Sequence, residues 1–239
     1  MKNYIMIILL IVSCLTAEQK SDQQYAGSAY TLSKGLDLPL GTLIAALNIS
    51  AHILKNNVKP LTVEEINQLN TSDIWNFERK LTENWDRKAK TASDVFLYSS
   101  IFYPAFLYLQ KDIGKDALPI ALIWLETLTL NLGLTDLTKA LVSRKRPYLY
   151  GDKASLGEKQ KYDNQRSFFS GHTSTSAASC FMLAKIYQDY YPQDKRLPYI
   201  WSFSAVVPAI TAYLRVKGCL LYTSPSPRDL STSRMPSSA

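Results

Sequence analysis

Lys139 and Arg146 stand seven residues apart in a stretch that reads as helix. At 3.6 residues per turn that spacing sets the two cations within about 20° of one helical face. A planar guanidinium fork matches phosphate oxygens, and an ammonium beside it adds a point charge. A solvated basic helix end, favoured by the C-terminal dipole, would show the same pair, and Arg144 and Lys145 fit that plainer reading. Further on, Ser170-Gly171-His172 puts a hydroxyl, an unhindered amide and an imidazole at the start of a run of small residues. Exposed amides at a helix N-terminus make a ready anion site, and a histidine there can donate a proton near neutral pH. A plain cap, with Ser170 satisfying orphan amides and His172 merely exposed, accounts for an isolated tripeptide just as well. Both patterns in this order should arise by chance in about one chain in a thousand of this length.

Lys139-x6-Arg146-Pro147 followed by Ser170-Gly171-His172 resembles the first two signatures of the type 2 phosphatidic acid phosphatase superfamily, which also holds bacterial class A acid phosphatases and vanadium haloperoxidases. The similarity runs from about Asp86 to Lys217. It implies an all-α helical bundle with the phosphate site between helices. It further implies that Lys139 and Arg146 hold phosphoryl oxygens, that Ser170 and the Gly171 amide add hydrogen bonds, and that His172 is the catalytic acid protonating the leaving group. Leu214-Arg215-Val216-Lys217 resembles the start of the third signature, which makes Arg215 a third phosphate ligand. That signature then expects a nucleophilic histidine six residues on, where Leu221 stands, and an aspartate four beyond. Phe169 replaces the proline usual in the family.

The implied activity is metal-independent hydrolysis of a phosphomonoester, lipid phosphate foremost, through a phosphohistidine. The chain as written, without that histidine, is expected to be inactive. No metal or organic cofactor is expected, and vanadate only if the site serves as a haloperoxidase. A soluble periplasmic acid phosphatase and a non-catalytic phosphate-binding membrane protein are the competing readings.

To carry this chemistry the chain must supply long helices. Strand signals are scarce, because no alternating run closes on Asn-Gly or Asp-Gly. Leu38–Leu54, Val95–Gln110, Ala117–Thr135 and Leu197–Leu214 are long apolar stretches, of lengths between those of buried core helices and membrane spans. One helix is predicted over Asp116–Lys145, with Pro119 in its first turn and Pro147 barring continuation past Arg146. Tyr148–Ser167, with Gly151, Gly157 and clustered charges, reads as a long functional loop. Gly171 opens a helix of small residues to about Asp189. Thr62-Val63-Glu64-Glu65 is a capping box for a short helix that Asn70 can end. His52, alone among apolar residues, reads as a satisfied core histidine, and Cys180 as buried and inert.

The whole chain has 239 residues, 46% of them hydrophobic and 11% aromatic, enough for a packed core. Its 27 Lys and Arg against 20 Asp and Glu give a net charge of +7, which suits anionic partners. The tyrosines are not interleaved with a basic stripe, so a nucleic-acid partner is not expected. Met1-Lys2-Asn3 and the apolar run to Val12 read as an export signal, and Ile11-Val12-Ser13-Cys14 resembles a lipobox in which Cys14 is the lipidation candidate. Ordinary cleavage after Ala17 is the alternative. Cys219–Asp229 and Ser233–Ala239 back-translate into text resembling the two ends of a transposase-type sequencing adapter. The expected organisation is therefore a signal over 1–17, an N-terminal helical region over 18–85, a truncated phosphatase-like domain over 86–218 and an artefactual tail over 219–239. Location at a bacterial membrane facing the periplasm, or in the periplasm, follows from that signal.

Overall fold

A computed structural model describes residues 29–74 and 79–221. The signal, Cys14 and residues 222–239 of the tail lie outside the described residues. Among these, every regular element is helical, as the sequence leads one to expect. Five long helices dominate: α1 (Lys34–Asn56), α2 (Arg87–Phe102), α3 (Ala117–Val142), α4 (Gly171–Tyr190) and α5 (Leu197–Lys217). The small-residue helix α4 packs against α2, α3 and α5, while α1 lies along α3.

Local chemistry sets the ends of these helices. Asp86 caps α2, its Oδ1 accepting the amides of Lys88 (2.9 Å) and Ala89 (3.1 Å). The uncharged run from Val95 is split, because Pro104 turns the chain into the tighter helix Tyr103–Leu109. The Thr62–Glu65 capping box is present in both directions. Its helix closes at Asn67, and Asn70 instead caps the next turn by accepting the Ser72 amide at 2.9 Å. Pro198 occupies the first turn of α5.

Helix contacts rest on small and hydroxylated residues, which let backbones approach closely. A Cβ at Gly133 of α3 would come 2.9 Å from Asn48 Nδ2 and 3.0 Å from Leu47 Cδ2 of α1. Asn48 cannot easily yield, since its Nδ2 donates to Ile44 O (2.8 Å) and across the contact to Thr129 O (3.1 Å). Asn131 of α3 donates to Thr175 Oγ1 of α4 at 2.8 Å, and Ser204 of α5 donates to Cys180 O at 2.7 Å. Cys180 is fully buried, as expected, whereas His52 is exposed on α1 with Asn56 as partner, not in the core.

Apolar side chains gather at both ends of the bundle. Leu107, Ile113, Ile120, Ile186 and Tyr187 form one cluster. Leu61, Ile66, Tyr148, Leu149 and Ala154 form another, which also includes Cys219 and Leu220 just past α5. Gly133→Val should destabilise the fold by about 1–3 kcal/mol, the usual cost of overpacking. Thermal melting against the unmodified chain checks this, and an unchanged transition would show that α1 can move away freely.

Candidate functional site

The helix expected to run to Lys145 stops at Val142. Ser143 takes a left-handed conformation (φ 47) and donates its amide to Lys139 O at 3.0 Å. Arg146 is already extended (φ −77, ψ 149), as the following proline demands. Lys139 and Arg146 therefore do not share a helical face. The chain instead turns and runs beside the segment before α4, with Arg146 N–H donating to Asn164 O (2.8 Å) and Ser167 N–H to Arg144 O (2.9 Å). Arg144 is only 2% exposed, so it is not the solvated helix-end charge expected of it.

Ser170 is the N-cap of α4. Its Oγ accepts the Thr173 amide (3.2 Å) and the Thr173 hydroxyl (2.9 Å), which leaves its own O–H to donate outward. Gly171 follows where α4 meets α3. A Cβ there would lie 3.1 Å from Thr135 Cγ2 and 3.4 Å from Lys139 Nζ, so the absent side chain lets the lysine reach the helix start. Thr135 and Ser174 share a hydrogen bond of 3.3 Å beside this approach.

His172 points to α2, where its Nε2 lies 2.7 Å from Asp94 Oδ1. The same carboxylate oxygen is 3.7 Å from Nη1 of Arg215, in the last turn of α5. Asp94 thus ties the imidazole to the third arginine. An ionised carboxylate can only accept, so Nε2 carries the hydrogen and Nδ1 is the nitrogen left to gain one. Burial, and then the Arg215 charge, push the His172 pKa down to about 4, against the opposing pull of its hydrogen bond to Asp94.

The expected site residues are drawn into one region. Lys139 meets Gly171, His172 and Arg215 share Asp94, and Arg146 is paired with Asp163 of the 150–170 segment. The Asp163 charge interacts with Lys139 and Arg215 as well. Leu221, where the resemblance expects the nucleophile, is buried just past the Leu220 carbonyl that accepts the Ser167 hydroxyl (3.3 Å). Sequence reasoning did not find Asp94 or Asp163. The one available signal for Asp94 was a lone acid in α2 close to a long uncharged run.

The model of the PAP2 superfamily matches residues 120–217. Over those residues, somewhat under half of the chain, the sequence is similar to the PAP2 superfamily. The match is compatible with a phosphatase-type activity and spans all of the signature positions from Lys139 to Arg215. Asp94 and the whole of α1 lie outside it. No curated protein and no solved structure matches the chain.

Because the folded pKa of His172 lies below its ordinary value of 6.5, the unfolded chain binds more protons between the two. Stability contributed by this group is therefore full above pH 6.5 and is lost as pH falls towards about 4. Proton-detected titration of the His172 ring should show a midpoint near 4, moving lower still in Asp94→Asn. An ordinary midpoint in both proteins would contradict the buried, cation-flanked setting.

Proposed function

We propose that this PAP2 domain binds the phosphoryl group of a phosphomonoester, a lipid phosphate foremost, among Lys139, Arg146, Arg215 and the N-terminus of α4. The observation that carries this reading is the gathering of those three cations around Ser170–His172. Charge-assisted bonds from guanidinium and ammonium groups suit the oxygens of a phosphoryl group, while the Ser170 hydroxyl and the Gly171 amide add neutral donors. A bound dianion would offset the Arg215 and Lys139 charges that depress His172, raising its proton affinity when a leaving alcohol needs a proton.

Phosphohistidine chemistry needs a second imidazole to attack phosphorus as the P–O bond breaks, with His172 protonating the departing alkoxide. The only other histidine in the sequence is His52, on the exposed side of α1, and Leu221 offers no lone pair. The chain as written is therefore a binder that does not turn substrate over.

The lipid preference is supported by three stretches among the described residues that are long and apolar enough to cross a membrane by length and composition: Gly35–Asn56 in α1, Ala117–Leu149, which takes in α3 and the turn after it, and Leu197–Lys217, which is α5. They expose large apolar side chains such as Leu36, Leu38 and Ile49 of α1 and Tyr199, Val206 and Tyr213 of α5. Export, and a site facing the periplasm, belong to the same proposal.

Calorimetric titration with orthophosphate or orthovanadate should show saturable binding, weakened about tenfold or more by Lys139→Ala or Arg146→Ala, as befits loss of a charged donor. Incubation with an aryl phosphate should leave no acid-labile phosphate on histidine. Equal binding by both variants would sink the clamp, and a labelled histidine would sink the claim of inactivity.

A further inference from the structure

Arg146 is held by more than its own backbone. Its Nε–H donates to the Asp163 carbonyl at 3.1 Å, and its Nη2 donates to Asp163 Oδ2. One residue thus occupies the whole Nε–Nη2 edge, while Nη1 has no partner among the described residues. The second oxygen of that carboxylate, Oδ1, lies 3.7 Å from Nη1 of Arg166. Arg166 in turn donates from Nη2 to Asp136 Oδ1 at 2.7 Å. Asp136 sits on α3 three residues before Lys139, and its Oδ2 is 3.7 Å from Lys55 Nζ near the end of α1. Alternating charges therefore run from Lys55 through Asp136, Arg166 and Asp163 to Arg146. Gln165 anchors the same segment by donating to Lys59 O at 2.8 Å.

The carboxylates of this chain of contacts reach solvent, with Asp163 41% and Asp136 37% exposed, but the arginines are enclosed, which separates it from a surface ion pair contributing about 0–1 kcal/mol. The side chain of Arg166 is 3% exposed and that of Arg146 is 9% exposed. A guanidinium removed from water to that degree is costly unless its donors are directed. Arg166 matches none of the signature positions, yet it is as enclosed as those that do.

We propose that Asp163 and Arg166 are positioning residues for Arg146: Arg166, fixed on Asp136, holds the Asp163 carboxylate, and Asp163 fixes the guanidinium plane so that the Nη1 end is offered to a phosphoryl oxygen. The inference rests on the phosphate-clamp reading above. It opposes the simplest electrostatic expectation. Asp163 also interacts with Lys139 and Arg215, so a carboxylate acting only through its field would repel the anion, and removing it would tighten binding. Orientation and field have opposite signs, and measurement can tell them apart.

Orthophosphate affinity is measured by calorimetry on the full chain and on Asp163→Asn, Arg166→Lys and the double variant. Asp163→Asn removes charge but keeps an oxygen acceptor, whereas Arg166→Lys keeps charge but loses the planar fork. Each single variant should lower affinity about tenfold, the scale on which partners that orient a ligand group act. The double variant should be no weaker than the weaker single one, since the links act in series. The Arg146 Nε–H resonance should shift in all three while each variant keeps its helical circular dichroism and a single cooperative thermal transition, even if at lower temperature, which a general loss of structure would not produce. If one variant fails to fold, the other still decides. Tighter or unchanged binding in a folded variant overturns the positioning role. Failure of the unmodified chain to bind orthophosphate overturns the clamp and this inference together. Binding that is lost in Arg146→Ala but untouched in the others overturns this inference alone.

Discussion

Bringing Lys139, Arg146, Arg166 and Arg215 into one enclosed region is the constraint on which the rest of the structure depends. Like charges a few ångströms apart repel by about 4 kcal/mol at an effective dielectric of 20, and desolvating them adds to that cost. The protein offsets it with carboxylates from three different places: Asp94 on α2, Asp136 on α3 and Asp163 before α4. Each carboxylate touches two basic groups, Asp94 with His172 and Arg215, Asp136 with Lys55 and Arg166, Asp163 with Arg146 and Arg166. Cations still outnumber carboxylates, so the region keeps a positive balance suited to an anion.

That arrangement requires close helix packing. Lys139 can reach the start of α4 because Gly171 has no side chain, and α4 can lie between its neighbours because Ser176, Ser179 and Cys180 are small and fully buried. The same economy inside leaves many large apolar residues outside, on α1, α3 and α5. A hydrocarbon environment would cover them, so this exterior is compatible with a membrane association.

Much of this could be read from residue order, where the controlling interactions are local. The capping box at Thr62, the Ser170 cap, the helical content and the two signature clusters all depend on neighbours within a few positions. What failed or was missed depends on contacts distant in the chain. Asp94 is 78 residues from His172, and nothing in the spacing joins them. Arg146 left its expected helical face because Ser143 took a left-handed turn and Asn164 captured its amide. Arg144 looked like a solvated charge, yet it is 2% exposed and its carbonyl accepts the amide of Ser167, a residue far along the chain. Cys219 and Leu220, in text without helical period, still pack beside Tyr148 and Leu149, since apolar residues next to a helix end find the nearest cluster.

The most direct examination of the account is to locate an anion in a crystal of the full chain by the anomalous scattering of tungstate. The account predicts one tetrahedral oxyanion within hydrogen-bonding distance of Lys139, Arg146, Arg215 and the Ser170–Gly171 backbone, with the His172 ring beside it. Tungstate ordered elsewhere, with those groups contacting only one another, would contradict it.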